Sequence, residues 1–505
     1  MVGITSKLRF SINTLTPINQ LPPEILCEAF FHLRPVVRGG PGQPRRTRQP
    51  FEDLLTVTHT CQHWRVAAIA AADLWSQLII RGSRGNSDDL ARLVISRSGE
   101  SPLDADVGYR LVVVVPHTNR LRTLWCKGST INDSLNFGNH PVPFLEALHI
   151  SPHRPEPESP PLPTLFNRGS PSLRELAIDG YKPWPNNQFG GLSSFYLKLS
   201  SQGDPHTLLI QLLEMLRDSP QLEELFLHLD LVNDNPPSAH SIPARVSLHA
   251  LQKLHLSYTP PILVRQFLGS VDFAPNGIAM QFTNVTSDPD QMFHATLPPE
   301  LSLQAATSLE IIYTFSDGLI IQGTNPGMRI RVAGFLDSGE DQVEIFSRLA
   351  RRTSPQFPLR ELWIHIEREG GYKFPPLSQF NDLEKLTVRS TRGDPVGQLL
   401  RMLDADGDVP CPLLSTLHLL GLSGVEDLSK ILKARSDAGC RLERLGLGKV
   451  HVPVESVTML RGYVEEVEVF DEDWEPCGME LPAVCMGETG GWWESWTEHY
   501  VRWPY

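Results

Sequence analysis

A chain of 505 residues with a formal net charge of −13 has room for several domains, or for one small module followed by a long repeat array. Its acidic balance argues against nucleic acid as the main partner, because a phosphate-reading surface needs a clustered excess of lysine and arginine. Seven cysteines, at 27, 61, 126, 411, 440, 477 and 485, form no CxxC pair and point to free thiols in a reducing compartment.

Residues 1–17 read as a flexible amino terminus, with no apolar run long enough for a signal peptide. Residues 18–75 read as a small helical module. Pro22 and Pro23 suit a helix start, since a first-turn proline loses no intrahelical hydrogen bond. Ile25, Leu26, Ala29 and Leu33 then recur at helical spacing, with Phe30 and Phe31 among them. Leu54, Leu55, Thr58, Cys61 and Trp64 repeat the pattern in a second segment, and Leu74-Trp75 follows. This constellation resembles the F-box, the module that docks on the Skp adaptor of Skp–cullin–F-box ubiquitin ligases. The resemblance covers roughly residues 18–66 and extends weakly to Trp75. It implies that Leu21, Pro22, Glu24, Ile25, Leu26, Phe30, Leu54, Leu55, Cys61 and Trp64 bind a Skp-family adaptor, and through it a cullin.

The chain departs from the family pattern between the two segments. Arg34 to Pro50, RPVVRGGPGQPRRTRQP, holds five arginines and no acidic residue. Glycine and proline make it a loop. It reads as a solvated insertion or, alternatively, as a nuclear-import or phosphate-binding segment.

From residue 76 to 475 one pattern returns: leucine, two residues, leucine, one residue, leucine. Clear copies are Leu145-Leu148-Ile150, Leu173-Leu176-Ile178, Leu222-Leu225-Leu227 and Leu251-Leu254-Leu256. Further copies are Leu359-Leu362-Ile364, Leu383-Leu386-Val388, Leu414-Leu417-Leu419 and Leu442-Leu445-Leu447, with weaker ones at Leu121, Leu192, Leu309 and Val464. The period is that of leucine-rich repeats. Degenerate strands near Ile278–Phe282 and Arg329–Val332 are candidates for the two wide gaps, so the repeat count within 271–345 stays open. The last four residues of each motif alternate as a strand does. Trp75–Ile80 and Leu103–Val107 read as further strands, and Ser87 as the cap of a helix carrying Leu90, Leu93 and Val94. Helices are expected over 205–218 and 394–403, each after a Gly-Asp-Pro whose aspartate suits an N-cap. Each strand–helix unit needs a neighbour to cover its apolar face, so the units stack. The expected fold is α/β: an F-box-like module followed by a curved solenoid with a parallel sheet.

Proline-rich stretches at 151–163 and 233–243 read as loops. Residues 476–505 carry Trp492, Trp493, Trp496 and Trp503, and read as a cap on the last repeat or as an aromatic partner-binding tail. Chemistry is sparse. There is no GxxxxGK[ST], HExxH or GxSxG motif. Asp404, Asp406 and Asp408 resemble a calcium loop only briefly, because Gly407 is misplaced and Ser415 stands where a glutamate is needed. No catalytic residue, metal site or cofactor is expected.

The position between the second and third leucines should face away from the core. It holds Trp125, His149, Ala177, Tyr196, Phe226, His255, Tyr313, Trp363, Thr387, His418, Gly446 and Glu468. Eight of these twelve are aromatic or histidine, although such residues make up only 57 of 505. Stacked rings covering the sheet explain this column. So does a recognition surface, in which Trp125, His149, Tyr196, Phe226, His255, Tyr313, Trp363 and His418 bind a substrate and Trp363 and Phe226 are partly exposed.

The order of the two parts resembles a family of F-box proteins abundant in fungi. The resemblance implies a substrate-recognition adaptor of a ubiquitin ligase, cytoplasmic or nuclear, that binds an unknown protein substrate and catalyses nothing. An F-box protein of a non-ubiquitin complex and a scaffold with a decayed F-box are the alternatives. No nucleic-acid or membrane partner is expected.

Overall fold

The computed structural model describes residues 15–34, 51–80, 86–108, 110–127, 140–151, 159–166, 172–184, 187, 189–201, 204–231, 245–273, 278–283, 306–313, 318–323, 328–331, 359–366, 377–390, 409–420, 426–448 and 454–470. Several expectations lie outside these residues: the insertion beyond Arg34, the loop at 233–243, the helix at 394–403, the aspartates at 404–408 and the Trp-rich end. The fold is mixed α/β, with large parallel sheets in two compact units. One unit is built on residues 1–202 and 214–222, the other on 203–213 and 223–487.

The first unit opens with three short helices, α1 (Pro23–Phe31), α2 (Glu52–Thr60) and α3 (Gln62–Ala70). Pro22 stands at the cap of α1 and Pro23 in its first turn, as the sequence predicts. The second segment differs from expectation, being two helices rather than one. Cys61 is extended (φ −154°, ψ 169°) and ends α2, while its sulfur accepts the Trp64 amide and caps α3. Leu26, Phe30, Leu54, Val57, Ala67 and Ala68 form the module's own core. A short 3-10 turn (Ala72–Trp75) carries Trp75, whose indole N–H donates to the Ala68 carbonyl at 2.8 Å and whose face takes the Arg97 guanidinium at 4.3 Å.

Six parallel strands follow. They are β1 (Gln77–Ile79), β2 (Leu103–Gly108), β3 (Leu121–Lys127), β4 (Ala147–Ser151), β5 (Glu175–Asp179) and β6 (Ser194–Ser201), paired in chain order. Helix α4 (Asn86–Arg97) connects the first two. The motif residues are in register: Leu124, Leu148, Leu176 and Phe195 make one buried row, and Cys126, Ile150, Ile178 and Leu197 another. Between strands, Arg120 is buried and donates to the Ser98 hydroxyl and to the carbonyls of Ser101 and Ile95.

Helix α5 (Pro205–Arg217) starts as expected, with the Asp204 carboxylate accepting the amides of His206 and Thr207 at 3.3 and 3.0 Å. The second unit continues with β7 (Glu224–Leu231), β8 (Val246–Leu248), β9 (Lys253–Ser257), α6 (Pro261–Gly269), β10 (Val271–Phe273) and β11 (Ala279–Thr283). Next come β12 (Ala306–Tyr313), β13 (Gly318–Gly323), β14 (Met328–Arg331), β15 (Glu361–Ile366), β16 (Lys385–Ser390) and β17 (Thr416–Leu420). Helix α7 (Glu426–Asp437), β18 (Leu442–Gly448), α8 (Val454–Leu460) and β19 (Val464–Phe470) complete it. β8 and β10 form a small parallel pair of their own.

The main sheet of this unit runs β7-β9-β11-β14-β13-β12-β15-β16-β17-β18-β19. Here an expectation fails. The sheet is not parallel throughout, because β13 is antiparallel to both β12 and β14. The reason is chain length. Four residues separate Tyr313 from Gly318, and four separate Gly323 from Met328. Such connections suit hairpins, whereas a parallel crossover takes a dozen residues or more. The parallel order resumes at β15. Leu362, Leu386, Leu417, Leu445 and Val467 align, as do Ile364, Val388, Leu419 and Leu447 one step along.

Candidate functional site

The residues expected to make contacts lie in two places, the helical module and the strand rows. In the helical module, the residues expected to dock an adaptor divide by burial. Leu26, Phe30 and Leu54 are buried, with the Phe30 ring 5.3 Å from that of Trp64. These three are buried in the free chain, within the core of the module. Leu55, Cys61 and Trp64 are half-buried. Leu21, Pro22, Glu24 and Ile25 face water, Leu21 at 40% and Ile25 at 54% exposure. Leu21 is extended and precedes α1, and Ile25 lies in the first turn of that helix. A second pair, Val66 and Ile69 on α3, is exposed at 61% and 40%. Helical spacing marks the buried stripe and passes over this pair. Single exposed apolar residues are ordinary, but paired ones on short helices leave an uncovered apolar face. Arg34, counted with the basic insertion, belongs to the module: it donates to the Ser76 hydroxyl at 2.9 Å and lies 5.2 Å over the Phe31 ring.

The ring column in the first unit is a true row across the strands: Trp125, His149, Ala177 and Tyr196 stand opposite one another. Trp125 meets His149 edge-on at 4.1 Å. Trp125, His149 and Tyr196 are half-buried. Burial pulls the His149 imidazole down to about 3 and pushes the Tyr196 phenol up, the latter with help from the nearby Asp179 carboxylate. Asp179 pairs with Lys198 at 3.4 Å, yet burial still raises it above the usual carboxylate range.

In the second unit the row reads Phe226, His255, Gln281, then Arg329, Ile320 and Glu310, then Trp363, Thr387, His418, Gly446 and Glu468. Tyr313 is not a member. Its strand pairs Glu310 with Trp363 and Tyr313 with Ile366, so Leu309 is the second residue of its motif and not the first. Gln281, on a strand too degenerate to show the leucine pattern, is a member the sequence reading missed. The expected exposure of Phe226 and Trp363 is not met, since they are 2% and 4% exposed. Phe226 packs edge-on to His255, with ring centres 6.1 Å apart. Trp363 lies under the Lys385 amine at 4.7 Å and beside the stacked His365 ring. His255 and His418 are half-buried. At Gly446 a Cβ would come within 2.6 Å of the His418 and Phe470 rings, which meet at 88° above it. The gap in the ring pattern is therefore filled by rings from both sides.

A charged row flanks the rings. Glu224 pairs with Lys253 at 3.4 Å, Glu361 with Lys385 at 2.6 Å, and Arg444 with Glu466 at 3.4 Å. Ser257 and His228 are hydrogen-bonded at 3.0 Å, as are His255 and Thr283. Burial lowers His365 to about 3 and His418 to about 4, in the second case aided by the Lys385 and Arg444 cations. Among the described residues no cluster of three histidine, cysteine or acidic side chains is placed to hold a metal, the cysteines are free thiols, and no helix is long and apolar enough to cross a membrane.

No protein-family model matches this chain, and no curated protein matches it. Among solved structures, it is similar to a chain of the Rad7 and Elc1 complex in yeast, with 11% sequence identity and a TM-score of 0.23, over 85% of this chain and 96% of that one.

Proposed function

We propose that this chain is a substrate-recognition adaptor of a Skp–cullin–F-box ubiquitin ligase. The helical module docks a Skp-family adaptor, and through it a cullin, while the strand face holds a protein substrate. The chain supplies proximity, keeping a substrate lysine near an enzyme recruited elsewhere in the assembly. The observation that supports this reading is the uncovered apolar face of the module, Leu21 with Ile25 and Val66 with Ile69, beside a core that is already complete. Affinity purification with and without proteasome inhibition tests it. A Skp-family adaptor and a cullin are expected in both samples, and a further protein should accumulate under inhibition. Absence of the adaptor overturns the reading. An adaptor without accumulation assigns the chain to a non-ubiquitin complex.

A further inference from the structure

Three side chains in the ring row of the second unit share an unusual state. Gln281 and Thr387 are fully buried and Trp363 nearly so. Both amide atoms of Gln281, the Thr387 hydroxyl and the Trp363 indole N–H have no hydrogen-bond partner among the described residues. Buried polar groups in proteins are almost always paired, and an exception calls for a physical reason such as an absent water or ligand. Other such atoms are scattered among the described residues, but these four, on three side chains, share one register position. Gln281 stands opposite Arg329, Arg329 opposite Ile320, Ile320 opposite Glu310, Glu310 opposite Trp363, and Trp363 opposite Thr387. All therefore belong to the same strand face, the one proposed to hold a protein substrate.

We infer that this row reads the main chain of an extended peptide. Gln281 carries an acceptor and a donor side by side, the complement of one residue's N–H and C=O. Trp363 offers a donor for a second carbonyl, and Thr387 either role for the next amide. From β11 to β16 the row crosses five strand spacings, about 24 Å at roughly 4.8 Å each, and an extended chain at roughly 3.3 Å per residue spans it with about seven residues. Main-chain contacts of this kind supply affinity, and the side chains flanking the row select among peptides. The three groups are shielded in the free chain, so uptake includes an opening step. The half-buried His255 and His418 stand next in the row beyond Gln281 and Thr387.

This inference rests on the substrate-adaptor reading, and its test separates the two. The probe is a displayed library of random twelve-residue peptides, selected on the full chain, with the enriched sequence resynthesised with and without single backbone N-methyl groups. Gln281→Leu and Thr387→Val keep the shape and remove the polar atoms. Each should raise the melting temperature, since an unpaired buried group is lost, and weaken the peptide about tenfold. N-methylation at one position should weaken wild type and add nothing in Gln281→Leu. Failure to enrich any peptide, or equal binding by both variants, overturns the inference. A lower melting temperature in both variants also overturns it, because it would mean that the polar atoms are satisfied in the free chain. A cargo that still accumulates under proteasome inhibition and ignores both variants leaves the adaptor reading standing without the row.

Discussion

Replacing Leu21 and Ile25 together by alanine separates docking from folding. Fully burying a leucine or isoleucine side chain is worth about 1.5–3 kcal/mol. In the free chain 40% and 54% of these residues are in water, so roughly half of that remains to be gained from a partner, about 1 kcal/mol each. The double variant should therefore bind a Skp-family adaptor about 2 kcal/mol more weakly, roughly 30-fold in Kd. Calorimetric titration of purified full chain with the adaptor measures this. The variant's thermal melt should match wild type, because neither side chain fills the core. Leu26→Ala, one residue along and fully buried, should instead cost about 2–5 kcal/mol of stability by opening a cavity. A well-folded double variant with unchanged affinity would refute the docking assignment.

Leu225→Ala or Leu386→Ala, each in a fully buried row, should cost about 2–5 kcal/mol in urea unfolding. Gly446→Ala should destabilise by about 1–3 kcal/mol, because its Cβ would collide with the His418 and Phe470 rings, and a second change, His418→Ala, should restore part of the loss. His365, buried and lowered to about 3, is neutral when folded and ordinarily titrates near 6.5 when unfolded. Its contribution is complete above about pH 6.5 and is lost as pH falls toward 3, at about 1.4 kcal/mol per pH unit. The stability difference between wild type and His365→Gln should therefore change by about 2 kcal/mol between pH 7 and pH 5, and a difference independent of pH would show that His365 is not held neutral.

The leucine spacing made the strands legible because each core position repeats at a fixed offset, and the register confirms it at Leu148, Leu176, Leu254, Leu386, Leu417 and Leu445. Turn chemistry made the start of α5 legible, through Asp204 and Pro205. The meander at β12–β14 was not, although the short connections forbid a crossover. A leucine count reads Leu309 as a fresh copy, and this put Tyr313 in a row that belongs to Glu310. Cys61 was read as one more apolar position on a continuing helix, when its sulfur caps a new one. In the helical module, helical spacing located the apolar stripe and not which of its members lie inside, since Ile25 and Leu26 are equivalent by composition and opposite by burial.

That last distinction decides which experiments can speak to function. In the helical module the exposed and buried residues are different residues, so truncation to alanine tests docking at Leu21 and Ile25 without touching the core. The ring row of the second unit has no such division. Trp363 supports the Lys385 amine and the His365 ring, and Thr387 sits buried beside it, so truncating either removes packing together with any ligand contact. Loss of substrate after Trp363→Ala would follow equally from a damaged sheet and from a damaged site. Replacements that hold volume and delete only the polar atom escape this, because packing and hydrogen bonding then move in opposite directions: removing an unpaired buried group favours the free fold, and removing a ligand's partner disfavours the complex. A row used only for packing should respond to Gln281→Leu with stability alone.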